Sequence, residues 1–84
     1  MSNVNLDLIA SAKGHFEVTP SDVTIFDRRV TALYVGGAGA VAVVDREGNS
    51  ATYAAVPAGA IIPIQARQVL ATGTDATNIV AMYS

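Results

Sequence analysis

The sequence predicts an all-β domain, a small antiparallel β-sandwich or barrel of about five to six strands with an extended N-terminal arm. Three observations predict it. Short runs rich in Val, Ile, Thr and Tyr recur between clusters of Gly, Pro, Asp and Asn, and each run is too short for a stable helix. Inside the runs apolar residues alternate, as at Val41 and Val43, which is the two-residue period of a strand with one face buried. The links between runs are short, so hairpins are the natural connection and the sheet is expected to be mainly antiparallel. At 84 residues the chain makes one domain, of a size that buries only about 60% of its unfolded surface.

In chain order, residues 1–17 read as the arm and residues 18–84 as the β-domain. In the arm Val4, Leu6 and Leu8 alternate with Asn3, Asn5 and Asp7, a strand pattern lying outside the compact series. Such a segment either adds to a neighbour's sheet edge or forms an edge strand of its own subunit, and Val4, Leu6 and Leu8 are candidate assembly contacts. The strand-like runs of the body are Arg29–Val35, Ala40–Asp45, Ser50–Val56, Ile61–Leu70 and Asn78–Tyr83. Gly36–Gly39 reads as a glycine-rich hairpin turn. Asp45-Arg46-Glu47-Gly48 suits a four-residue hairpin turn with glycine at positive φ, and Val56-Pro57-Ala58-Gly59 places Pro at i+1 and Gly at i+3 of a type I turn. Thr72–Thr77 is a polar loop. Pro63 falls inside the run Ile61–Leu70, where it has no N–H for a ladder, so the first half of that run is expected to be an edge, a bulge or a subunit contact, with a bend at the proline.

The chemistry of an enzyme is missing. Gly37, Gly39 and Ala42 spell G-x-G-x-x-A after an apolar run, but Val41, Val43 and Val44 favour a strand where a dinucleotide site needs a helix N-terminus. The ribose-binding acid expected about 20 residues on would fall near Pro57, in a stretch without charge. His15, the one histidine, reads as a solvent-facing residue or minor interface contact. Ser21 and Asp22 follow Pro20 in a turn, where such residues cap backbone amides rather than form a nucleophile and base. Of the carboxylates, Asp7, Glu17, Asp22, Asp27, Asp45, Glu47 and Asp75, only Asp45 and Glu47 are close in sequence, and they do not meet the calcium-loop spacing. Cysteine is absent, which removes disulfides and thiolate metal sites. No catalytic residue, cofactor or metal is expected.

Composition bounds the partners. Hydrophobic residues make up 51% of the chain and charged ones 14%, against about 25% charged in ordinary soluble proteins, so part of the surface is expected to face other protein. Five Lys and Arg against seven Asp and Glu give a net charge of −2, which argues against nucleic acid; Arg28-Arg29 reads as a solvated end or a salt-bridge partner of Asp27. Tyr34, Tyr53 and Tyr83 lie in apolar runs and read as core or interface packing rather than base-stacking platforms. Pro57, Gly59 and Pro63 interrupt the longest charge-free stretch, so no membrane helix is expected. Met1–Asn5 lacks the basic start of a secretory signal, and synthesis in a cytoplasm is expected.

The order of the turns carries a resemblance. Val18-Thr19-Pro20-Ser21-Asp22, Ala32–Gly39, Val56-Pro57-Ala58-Gly59 with Ile62-Pro63-Ile64, Val69–Thr77 and Ile79-Val80-Ala81 together resemble the head-spike base proteins of phage-like gene transfer agents and related tailed phages. The resemblance covers Val18 to Tyr83. It implies a non-enzymatic virion structural protein on the capsid surface that forms a homo-oligomer, such as a pentamer at a five-fold vertex. It also implies the major capsid protein and a spike or fibre protein as partners. Ala40 stands where the family has an acidic residue and Gln65 where it has a basic one, which bears on partner contacts rather than on fold. Residues 1–17 have no counterpart in the resemblance. The alternatives are a capsid cement or decoration protein lying between major capsid subunits, and a small non-viral β-barrel binding module.

The composition generates the first prediction. Purified protein at tens of micromolar is expected to elute as a homo-oligomer in size exclusion coupled to light scattering, at roughly the concentration where weak interfaces associate; a clean monomer would contradict the argument from charge depletion.

Overall fold

The computed structural model describes residues 12–84. It holds seven strands, β1 Gly14–Val18, β2 Val30–Gly37, β3 Gly39–Asp45, β4 Ser50–Val56, β5 Ala60–Ile62, β6 Ala66–Val69 and β7 Thr77–Tyr83. They form two antiparallel sheets, one ordered β1-β7-β2-β5 and the other β4-β3-β6. The strand count exceeds the expected five to six for two local reasons. The run Ile61–Leu70 divides at Pro63, and β1, whose first four residues the sequence pattern puts in the arm, is paired along its whole length with β7 from Gly14↔Tyr83 to Val18↔Ile79. The arm contacts Val4, Leu6 and Leu8 lie outside the described residues.

The glycine-rich segment is not a hairpin. β2 pairs with β5 and β7, whereas β3 pairs with β4 and β6, so Gly36–Gly39 carries the chain from one sheet to the other. The physical reason is close approach. A Cβ on Gly37 would collide with Thr77 Oγ1, and one on Gly39 would lie 2.7 Å from the backbone nitrogen of Ala76. The neighbouring loop then locks to the start of β3, with Asp75 N–H and Ala76 N–H both donating to the Ala40 carbonyl at 2.8 and 3.1 Å.

The other turns follow their sequences more closely. Asp45–Asn49 joins β3 to β4 as a true hairpin, with Gly48 at φ +91°. Its Asp45 carboxylate accepts the N–H groups of Glu47 and Asn49 at 2.9 and 2.8 Å. The proline turn is shifted by one residue from the expected type I geometry. Ala60 N–H donates to Pro57 C=O and Gly59 has φ +86°, which places the glycine at i+2, where a type II turn needs positive φ. At Pro63 the chain bends as expected: Ile64 N–H reaches back to Ile62 C=O at 3.0 Å, a one-residue γ-turn around the proline that moves the chain from β5 to β6.

Between the sheets lies a core of medium-sized side chains. Val30, Leu33 and Val35 of β2 meet Ile79 and Ala81 of β7, Val41 and Val43 of β3, and Val69 of β6. Alternation predicts Val41 and Val43 inward and Ala42 outward, yet Ala42 is also buried. The loop after β6 covers it: Leu70 N–H donates to Ala42 C=O and Ala42 N–H to Thr74 Oγ1, both at 2.9 Å. That loop is held in turn by Asp22, whose carboxylate accepts Thr72 N–H at 3.0 Å and the Thr72 hydroxyl at 2.7 Å. Ser21 Oγ accepts Val23 and Thr24 N–H, so both polar residues after Pro20 serve backbone amides.

Leu33 and Ile79 are the largest side chains wholly removed from solvent. Leu33→Ala is expected to cost about 2–5 kcal/mol, a large part of a small domain's stability, and a denaturant midpoint close to the parent's would contradict this packing. A third prediction concerns acid. Hydrogen bonds hold both carboxyls below the usual carboxylate range, Asp22 chiefly through Thr72 N–H and then its hydroxyl, Asp45 chiefly through Asn49 N–H. A folded-state value below the unfolded one gives stabilisation that is complete above about pH 4 and is lost as pH falls through the folded value. Asp22→Asn should therefore make the loss of stability below about pH 4 shallower in denaturant titrations, whereas an unchanged acid limb would detach Thr72 from the effect.

Candidate assembly surface

The period of two that buries Leu33 and Val35 turns Tyr34 to the opposite face of its sheet. Register then builds a row across that outer face. Glu17 of β1 stands beside Val80 of β7, Val80 beside Tyr34 of β2, and Tyr34 beside Ile61 of β5. One step along, His15 stands beside Met82 and Met82 beside Ala32. Ile61 is 59% exposed and Tyr34 39%. His15, Tyr34, Ile61, Val80 and Met82 line a shallow depression of about 340 Å³. Its centre is apolar and Glu17 sits at its border, an arrangement of apolar middle and polar rim that suits a protein partner.

A second, larger cleft of about 510 Å³ opens where β1 begins, between His15, Phe16, Tyr83 and the segment Thr24–Arg28. Aromatic rings form its floor. Phe16 and Phe26 meet edge to face at 5.3 Å, and Phe16 lies 6.1 Å from Tyr83. The Arg28 guanidinium stacks 4.8 Å from the Tyr83 ring centre, so this arginine pairs with an aromatic face rather than acting as a free positive end. Tyr83 in turn lies over Gly14, where a Cβ would strike the phenol ring. The glycine is required for that packing.

The residues singled out in the sequence are dispersed. Pro63 is exposed, two positions beyond Ile61 and past the end of β5. His15 is also exposed and belongs to that row. Tyr53 packs against the core, so the three tyrosines have three different surroundings. The row Val80–Tyr34–Ile61 was not legible as a surface from composition, although the two-residue period already set Tyr34 against its buried neighbours Leu33 and Val35. Gly37, Gly39 and Ala42 offer nothing to a nucleotide, since a strand follows them and Thr77 and Ala76 occupy the space beside the glycines. Asp45 and Asp22 have their carboxylates engaged by turns. Among the described residues, no group of three or more His, Cys, Asp or Glu is placed to hold a metal ion, and no helix is long and apolar enough to cross a membrane.

Comparison with known proteins bears on the surface as a whole. No protein-family model and no curated protein matches the chain. Among solved structures, it is similar to a chain from the capsid of a native gene transfer agent (GTA) particle, computed with C5 symmetry. The two share 39% sequence identity and superpose with a TM-score of 0.79, over 96% of this chain and 99% of that one. Identity at that level over nearly the full length of both chains carries more than fold alone: the chain belongs to the family of this gene transfer agent capsid-particle protein.

Proposed function

We propose that the protein is a virion structural protein that self-associates on the capsid surface, at a five-fold vertex, as the base for a head spike or fibre. The observation that carries this reading is the 39% identity, over 96% of the chain, to a chain of the GTA capsid particle. That particle was computed with C5 symmetry, which is the symmetry of a closed ring of five copies. The partners are then other copies of this chain, forming a pentamer, the major capsid protein, and a spike or fibre protein. Synthesis is in the host cytoplasm, before incorporation. The mechanism is geometric and needs no catalysis. A rigid two-sheet body presents the same apolar face from every copy, and weak contacts repeated around a ring add through effective concentration.

The face built by Tyr34, Ile61, Val80 and Met82 supports this reading, because it removes apolar surface from water when a partner covers it. Ile61 is exposed, so Ile61→Asp should leave thermal stability close to the parent's while weakening attachment to capsids or the oligomer itself. Labelled protein added to particles lacking it should be found at the vertices by electron cryomicroscopy. Label spread between capsid subunits away from the vertices would replace the spike-base reading with a decoration protein, and absence of label would remove the capsid role.

A further inference from the structure

The two sheets have four edge strands among the described residues, and three of them are protected. β1 carries Glu17 and follows Lys13, β5 is three residues long and runs into Pro63, and β6 is covered by the segment after Pro20. In that cover Ser21 N–H donates to Val69 C=O and Phe26 N–H to Arg67 C=O, both at 2.9 Å. β4 has none of these devices over Ser50–Tyr53; a bulge at Ala54–Ala55, where Ala55 has φ +55°, interrupts only its far end. The strand is seven residues long, contains no charge and no proline, and exposes Ser50, Ala51, Thr52, Ala54 and Ala55. Long uncharged edges of this kind pair with another chain unless something blocks them.

The side chains of β4 also describe what would pair with it. Tyr53 stands beside Val41 and Ala51 beside Val43, so both lie on the core side of their sheet. Yet Ala51 is exposed and Tyr53 only half-buried, which leaves an apolar ledge running out from the core. Thr52, on the other face, is polar. An added strand that fits must be apolar at every second residue on the ledge side and polar on the other. Residues 3–8, Asn-Val-Asn-Leu-Asp-Leu, have that pattern.

Own-chain pairing is limited by reach. The turn at 57–59 ties the end of β4 to β5, at the opposite edge of the four-stranded sheet from β1, where the N-terminal segment attaches. Three strand spacings of about 4.8 Å and a sheet separation of about 10 Å put roughly 17 Å between these edges, on a straight line through the core. The four residues between Leu8 and Lys13 span at most about 18 Å fully extended, and a path around the body is longer.

We infer that residues 3–8 of one copy add as a strand to the open edge of β4 in the next copy, with Val4, Leu6 and Leu8 covering the ledge at Ala51 and Tyr53. Each copy then donates one segment and receives one. The contact is head-to-tail, so it closes into a ring when the rotation per copy permits. This rests on the assembly role proposed above but commits to a particular strand and edge.

The absence of cysteine makes the test direct. One preparation carries Leu6→Cys and a second carries Ala51→Cys; they are mixed, allowed to exchange and treated with a short bismaleimide. Dimers containing one chain of each kind are expected, together with a signal far above that from Leu6→Cys mixed with a Glu17→Cys control on the β1 edge. In a variant that carries both Leu6→Cys and Ala51→Cys, cross-linking confined within single chains would overturn the inference, as would a stable oligomer with no cross-link. Ala51→Lys, at an exposed position, should raise the dissociation constant of the oligomer by roughly tenfold or more while the monomer stays folded by circular dichroism. Capsid attachment is scored separately. Cross-linked rings that ignore capsids would refute the spike-base reading and leave this one standing, whereas capsid binding without cross-linking would do the reverse.

Discussion

The two-layer arrangement depends on how closely the corner Gly36–Gly39 lies against the strand and loop that precede and begin β7. β2 ends in one sheet and β3 begins in the other with Ala38 alone between them. Such a short crossing is open to the chain because Gly37 and Gly39 present no Cβ to Thr77 and Ala76. Once the corner is seated, Ala40 receives two backbone hydrogen bonds from the same loop. The inward valines of β3 are thereby brought opposite Leu33 and Ile79. A side chain at either glycine would push the sheets apart where they join, and the close packing of a core of medium-sized residues leaves little slack to absorb that.

Much of the fold could be read from the chain because local preference and tertiary demand agree. Val41 and Val43 alternate, lie in β3 and are buried. Asp45–Asn49 has the side chain and the glycine that its turn uses, and Pro63 bends the chain where it must. The readings that changed depended on partners distant in sequence. A glycine-rich link between two strands looks the same whether it closes a hairpin or crosses between sheets, and the difference lies with Thr77. Gly14–Val18 does alternate, with Phe16 and Val18 inward and His15 and Glu17 outward, but the run is only five residues long and its one sheet partner is β7, at the far end of the chain. The outer apolar row is less legible still, since Ile61, Tyr34 and Val80 are neighbours only through the register of three strands.

Charge is distributed unevenly, and the surfaces follow it. The chain has no Asp, Glu, Lys or Arg from Gly48 to Ala66. That stretch supplies all of β4, the turn after it, β5 and Pro63. It therefore holds both the unprotected sheet edge and the most exposed residue of the outer apolar row. Acidic residues elsewhere are used differently: Asp22 and Asp45 secure loops through backbone hydrogen bonds. One part of the sequence keeps the body rigid while another leaves it open to contact.

The pairing of β1 with β7 also governs the order in which the molecule can come into being. Gly14 lies beside Tyr83 and Val18 beside Ile79, and β2 depends on the same late strand for its longest ladder. On the ribosome, the β3–β4 hairpin can close early, but the four-stranded sheet must wait until β7 has emerged. Folding of this domain is thus dominated by pairings between distant parts of the chain, which slows it relative to a domain of similar size built from local contacts. During that wait, β1 has no sheet partner and β2 has only the three-residue β5, so a nascent chain is more prone to aggregation than the finished one.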